Sequence, residues 1–420
     1  MLIEFTFTNF KAFSEEVTLS MKGNFFKEHD DHLITIKGER YSKLKVIYGG
    51  NASGKSSLIE AISFVKEFFI NSNLLVDGSK INVIPFKFRK NCLDVPSSFK
   101  IIFIKNATKY VYSFSCTINE VISERLDVYY SNKSTNIFTR DNVDNYKFNN
   151  DSKFLNDIKT KNTKNKLFLV TAATWNYEIV KPVYDFVVND LVIIGGEIAN
   201  NKYSFDYLYK KGDYEEYKKF ALKFLNDADV SIKDIKVDIK KTKETNNSGI
   251  IRVLGALVNN GDEKLNRIEE SNIYNFMFTH EVVTSNEKNS YSLSINEESL
   301  GTNQLFSLSI VLFYAFKEGK VVIIDEIDRS LHPLLVRHII NSFVKNSTNE
   351  LPSQLIANTH ETDLLDLEIL RRDEIAFIDK NFNTGVASLY SLSDFSPRKE
   401  ENIRKAYLLG RFGAIPFLKD

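Results

Sequence analysis

The sequence predicts an α/β fold built on a buried parallel sheet, and three observations predict it. Short apolar runs without polar alternation occur at 44–48, 321–324 and 354–358, the pattern of strands covered on both faces. Between them, apolar residues recur at three- and four-residue spacing, as on helices. A glycine-rich loop joins the first run directly to the first such helix.

Leu2 to Met21 alternate apolar and polar about a turn at Asn9-Phe10-Lys11, which predicts an N-terminal hairpin. Leu44 to Tyr48 is a strand entering Gly49-Gly50, and from Ser57 onward Leu58, Ala61, Ile62, Val65 and Phe68 mark one face of a helix. Phe99 to Ile104 and Tyr110 to Cys116 read as antiparallel strands of a β lobe, with turns at Asn106 and Asn119. Asp141 to Lys166 is rich in Asn, Asp and Lys and reads as a mobile connection. Lys202 to Asn247 carries Tyr and Lys at helical spacing and is expected to be an inserted helical subdomain; no heptad is sustained, which excludes a long coiled coil. Tyr291 to Ile295 alternates again, Gln304 to Phe316 is helical, and Val321–Ile324, Gln354–Asn358 and Ile375–Ile378 supply further strands. The expected divisions are 1–195 for the first part of a head domain with its β lobe, 196–280 for the helical insertion, and 281–420 for the second part of the head.

The composition, 43% hydrophobic and 26% charged over 420 residues, is that of a globular protein with an ample core. Basic and acidic residues balance at 55 each, so no protein-wide field draws the chain to nucleic acid or membrane. Cys92 and Cys116 belong to no C-x-x-C pair or His cluster, which excludes a cysteine zinc site. The first residues alternate and carry an acid where a signal peptide has its apolar core, and no apolar run approaches the ~20 residues of a membrane span. A cytoplasmic protein without a membrane partner is expected.

Gly49-Gly50-Asn51-Ala52-Ser53-Gly54-Lys55-Ser56 fits G-x-x-x-x-G-K-[ST] and sits between a strand and a helix, where that motif cradles phosphates. Glycines let backbone N–H groups turn inward, the helix N-terminus at Ser56 and Ser57 adds partial positive charge, and Lys55 reaches the β and γ phosphates. Ser56 is the expected Mg²⁺ ligand. Val321-Val322-Ile323-Ile324-Asp325-Glu326 is an apolar strand ending in two carboxylates. Asp325 is expected to hold Mg²⁺ through water, and Glu326, across the pleat from it, to polarise an attacking water.

Glu298-Ser299-Leu300-Gly301-Thr302 precedes an apolar helix upstream of that strand, in the order of an ABC signature with Ser299 and Gly301 as its S-x-G core. A helix start fronted by Ser and Gly is an anion site, and it is also what an ordinary helix cap looks like. Ser330-Leu331-His332-Pro333 stands where ABC proteins have their D-loop, with Pro333 suited to a first helical turn. His360, at the end of a later strand, occupies the place of a switch histidine that contacts the γ-phosphate.

With these motifs, and with Asp325 to Pro333 and Thr359 to Asp363, the sequence resembles the bacterial AAA-named, ABC-type ATPases of phage-defence systems. The closing run Tyr407 to Pro416 is similar to that of the AbiL ATPase component and of PARIS/OLD-like ATPases. The resemblance implies a P-loop ABC-type ATPase head with an antiparallel β lobe, taking ATP and Mg²⁺ at the interface of a homodimer. It also implies a separately encoded, nuclease-like effector in abortive infection. Relatives with a TOPRIM domain on the same chain place it after the ATPase, and only about sixty residues follow His360, so a nuclease is expected in trans.

The pattern departs from the wider ABC class in places. Gln304 and Gln354 are the only glutamines, so Pro85-Phe86-Lys87-Phe88 occupies the Q-loop region. Lys11 lies where SMC-like heads put a basic residue near the phosphates, but as a lone lysine it reads as solvated. The tail interleaves Arg398, Lys399, Arg404, Lys405 and Arg411 with Tyr407, Leu408 and Phe412, and acids Glu400 and Glu401 favour protein docking over DNA. The alternative is a RecF- or SMC-like DNA-repair clamp, against which the neutral charge and missing coiled coil count. A transporter subunit would need a membrane partner and usually carries a full signature with Gln, and no N-K-x-D motif favours GTP.

Overall fold

The structure, a computed structural model, describes residues 1–88, 90, 95–195, 202–243, 270–284, 287–345, 351–398 and 400–415. The chain divides into two units, Met1–Glu197 with Tyr314–Asp420, and Ile198–Phe313.

The first unit holds the predicted parallel sheet. Its six strands run in the order Leu191–Ile194, Val321–Ile324, Gln354–Asn358, Leu44–Tyr48, Ile375–Lys380 and Ala387–Ser391, and all pair in parallel except the last. The apolar runs are buried at every position of 44–48, 321–324 and 354–358, which is why they lack alternation. A seven-stranded antiparallel sheet forms the β lobe, with Leu2–Thr8 between Val17–Ser20 and Ser97–Lys105, followed by Thr108–Cys116, Val121–Tyr129, Thr135–Asp141 and Asn145–Phe148. The N-terminal hairpin and the two lobe strands are thus where the alternation places them.

The helix Lys55–Asn71 buries Leu58, Ala61, Ile62, Val65 and Phe68, the stripe read from the sequence. Phe64 packs on Phe99 at 5.0 Å and on Phe10 at 5.7 Å, and Phe68 meets Phe114 edge-on at 5.7 Å. One apolar core joins this helix, the antiparallel sheet and the parallel strands. Each buried Phe contributes about 1.5–3 kcal/mol, so the helix start, and the loop before it, are fixed by several such contacts.

The expected mobile connection at 141–166 is instead held in place. It carries the strand Asn145–Phe148 and the helix Ser152–Lys159. Arg140, fully buried, donates to the carbonyls of Val143, Lys166 and Lys164, and lies 3.8 Å from buried Glu124. Glu124 accepts from Tyr112 Oη at 2.9 Å and from the amides of Phe168 and Leu169. Polar composition misleads here because its backbone, not its side chains, satisfies the buried charge.

The C-terminal run, read as a docking tail, packs in part on the parallel sheet. Tyr407 stacks on Phe377 at 5.5 Å, and Phe412 on the same ring at 5.7 Å. Arg404 pairs with Asp363 at 2.5 Å and Arg411 with Glu401. The interleaved aromatics are core packing and these two cations have partners within the chain. Lys399 and Pro416 lie outside the described residues, as does Cys92; Cys116 is buried, which pushes its thiol pKa up.

The second unit carries helices Lys202–Lys211 and Tyr214–Asp227, and also a three-stranded antiparallel sheet of Asp234–Lys243, Glu270–Thr284 and Glu287–Ser294. It is therefore not wholly helical, and it extends past 280 to Phe313 because the third strand pairs with the second. Ile235, Val237 and Ile239 alternate with Asp and Lys, a period-two signal that the helical reading passed over. Phe278 meets Phe306 at 5.0 Å and Tyr217 Oη lies 3.1 Å from Ser309 Oγ. Residues 196–201 and 244–269 of the expected insertion lie outside the described residues.

Candidate nucleotide site

The P-loop leaves the strand Leu44–Tyr48 and enters the helix Lys55–Asn71 through backbone that few side chains tolerate. Gly54 has φ 117°, and Ala52 stands in the left-handed region at φ 59°. At Gly49 a Cβ would meet Ile378 O at 2.5 Å and Ser53 Oγ at 2.6 Å, so only glycine fits beneath the loop. Ser53 Oγ is buried without a hydrogen-bond partner. A strained loop with an orphaned hydroxyl and a helix N-terminus behind it fits an anionic ligand.

Lys55 Nζ donates to the carbonyls of Gly49 at 2.7 Å and Gly50 at 3.1 Å. Burial lowers its pKa, while Asp325, Asp328 and Glu326 pull the other way. Ser56 Oγ donates to Asp325 Oδ1 at 3.3 Å, so the two expected Mg²⁺ ligands are neighbours. Hard oxygen donors from a hydroxyl and a carboxylate suit that ion.

Asn358, at the end of the adjacent parallel strand, positions both acids. Its Nδ2 donates to Asp325 Oδ1 at 2.5 Å, and its Oδ1 accepts the amide of Glu326 at 2.5 Å. The strand ends at Ile324 and Glu326 has φ 57°, so the pleat does not aim Glu326, as the sequence reading held. A left-handed turn pinned by Asn358 does. Sequence reasoning missed Asn358, because only the pairing of its strand with Val321–Ile324 brings its amide beside the two acids.

A cleft of about 440 Å³ collects Asn51, Ala52, Ser53, Gly54, Lys55, Ser56, Ser57, Asp325, Glu326 and His360 with Ala12, Asn358 and Lys380. The His360 amide donates to the Asp328 carboxylate at 3.2 Å, fixing the backbone under the imidazole. Lys380 ends its strand as an apparent surface lysine, which is why spacing alone did not single it out; its Nζ lies 5.7 Å from the Phe88 ring. Lys11, read as solvated, is partly exposed and pairs with Glu60 at 2.5 Å.

Ser299 and Gly301 belong to the second unit and are not among the residues lining this cleft. Ser299 is exposed, and its Oγ accepts the amide of Thr302 at 3.1 Å, capping the helix Leu300–Glu318. His332 caps Pro333–Val344 by accepting the Leu334 amide, with Pro333 in the first turn as read.

A family model described as "AAA domain, putative AbiEii toxin, Type IV TA system" matches residues 44–366. No curated protein matches the sequence. Among solved structures, an Smc head bound to the C-winged helix domain of ScpA is 13% identical, covering 93% of this chain and 97% of that one, with a TM-score of 0.46. An SMC head domain from Thermotoga maritima is 12% identical, covering 93% and 98%, with a TM-score of 0.41. An Smc head with an extended coiled coil, bound to the C-terminal domain of ScpA from Pyrococcus furiosus, is 15% identical, covering 98% and 99%, with a TM-score of 0.41.

Proposed function

The chain belongs to the AAA-domain family of that description, and from this premise we propose that it is an ABC-type ATPase that hydrolyses Mg·ATP between two copies of itself and controls a separately encoded, nuclease-like effector in anti-phage abortive infection. The observation that carries the catalytic part is the convergence of Lys55, Ser56, Asp325, Glu326 and His360 on one cleft, with Ser56 hydrogen-bonded to Asp325.

In this reading Gly49 and residues 51–57 wrap the phosphates, and Lys55 exchanges its loop carbonyls for β and γ oxygens. Ser56, and Asp325 through water, would hold Mg²⁺, which would neutralise phosphate charge. Glu326 orients and polarises the attacking water, and His360 faces the γ-phosphate. Lys380 adds a second cation at the cleft. Ser299, exposed at a helix start, and half-buried Gly301 beside it offer an anion site to the γ-phosphate of a second copy.

The effector role rests on the family description and on the resemblance of the closing run to defence ATPases. Its test is co-expression with the product of the neighbouring gene, followed by mass measurement with and without ATP. A stable complex whose composition changes with nucleotide supports the role. A chain that ignores its neighbour and binds duplex DNA with steep salt dependence favours the repair-clamp alternative instead.

A further inference from the structure

Away from the P-loop, His29, Asp31 and His32 each offer a ligand atom, all within 4.8 Å of one another. They stand on and just before a short turn, Asp30–His32, entered through His29 in the left-handed region at φ 51°. His29 Nε2 lies 2.8 Å from Leu367 O, and His32 Nδ1 lies 2.9 Å and 3.1 Å from the two oxygens of Glu374.

A carbonyl and a carboxylate only accept, so in the neutral rings those nitrogens carry the proton. That leaves Nδ1 of His29 and Nε2 of His32 with lone pairs. Imidazoles oriented from behind by a carbonyl or carboxylate are the usual outer shell of metal-bound histidines. Glu374 is itself fixed, accepting from Ser42 Oγ and from the Arg371 amide, each at 2.8 Å. His32 is buried, while Asp31 is exposed and brings a negative oxygen.

We propose that His29, Asp31 and His32 form a binding site for one divalent ion of the zinc class, closed by water, that ties this turn to the segment 367–374. Two imidazoles and one carboxylate suit zinc or cobalt(II), whereas Mg²⁺ and Ca²⁺ prefer oxygen alone. Metal–ligand bonds of 2.0–2.1 Å place tetrahedral donors about 3.3 Å apart. The set therefore tightens on binding, and the exposed Asp31 carboxylate is the group able to rotate inward.

The test is cobalt(II) titration of the chelator-stripped full chain in excess Mg²⁺, which occupies the nucleotide site, followed by displacement with zinc. The proposal expects one ion per chain with intense tetrahedral visible bands, and a melting temperature raised by zinc. Asp31→Asn and His29→Ala both leave the His32–Glu374 pair intact, and each should weaken binding by at least about tenfold and abolish the zinc-dependent rise; Asp31→Asn, which keeps the His29–Leu367 contact, should do so with metal-free melting unchanged, while His29→Ala, which loses that contact, is read by metal affinity. No stoichiometric uptake by the wild-type chain, or equal affinity in both variants, overturns the proposal.

Discussion

Asp325 receives two donors on one oxygen, from Ser56 and Asn358, and the same Asn358 holds the Glu326 amide. Glu326→Gln keeps the side chain's shape and removes its basicity, so hydrolysis should fall roughly 10²–10⁴-fold while ATP affinity is retained. An unchanged turnover rate in a steady-state assay would sink its assignment. Asn358→Ala strips both acids of their common partner and should cost about 1–3 kcal/mol of stability as well as turnover, read by urea unfolding and the same assay. Gly49→Ala forces a methyl onto Ile378 O and Ser53 Oγ, so nucleotide binding should be lost. At this scale the motif residues were legible because their chemistry demands fixed types at fixed spacing. Asn358 and Lys380 were not, because each becomes part of the cleft only through which strands lie beside Leu44–Tyr48.

Among elements, the parallel strands and the helix Lys55–Asn71 were readable because burial on both faces, or on one stripe, writes itself into hydrophobic periodicity. The stretch 141–166 was not, since what orders it is a buried guanidinium that takes carbonyls from three of its residues. Arg140→Met removes those bonds and leaves Glu124 buried without a countercharge; a loss of about 3–5 kcal/mol in urea unfolding is expected. A loss below 1 kcal/mol would show that this network does not hold the segment. The strand Asp234–Lys243 was misread for the opposite reason: Lys and Tyr at helical spacing in the preceding helices carried the reading past a clear alternation of Ile, Val and Ile.

For the whole molecule, the α/β class and the antiparallel lobe followed from the sequence, while the extent of the second unit depended on a strand pairing that crosses position 280. The nucleotide cleft is assembled wholly within the first unit, and Ser299 caps an exposed helix start in the second. In the proposed reading, ATP joins two copies through these features. Light scattering on purified Glu326→Gln, with and without saturating Mg·ATP, tests it most directly. The account predicts a doubled mass that requires ATP and disappears when Ser299→Glu is added to the same chain; a mass that stays at one copy with ATP bound would contradict it.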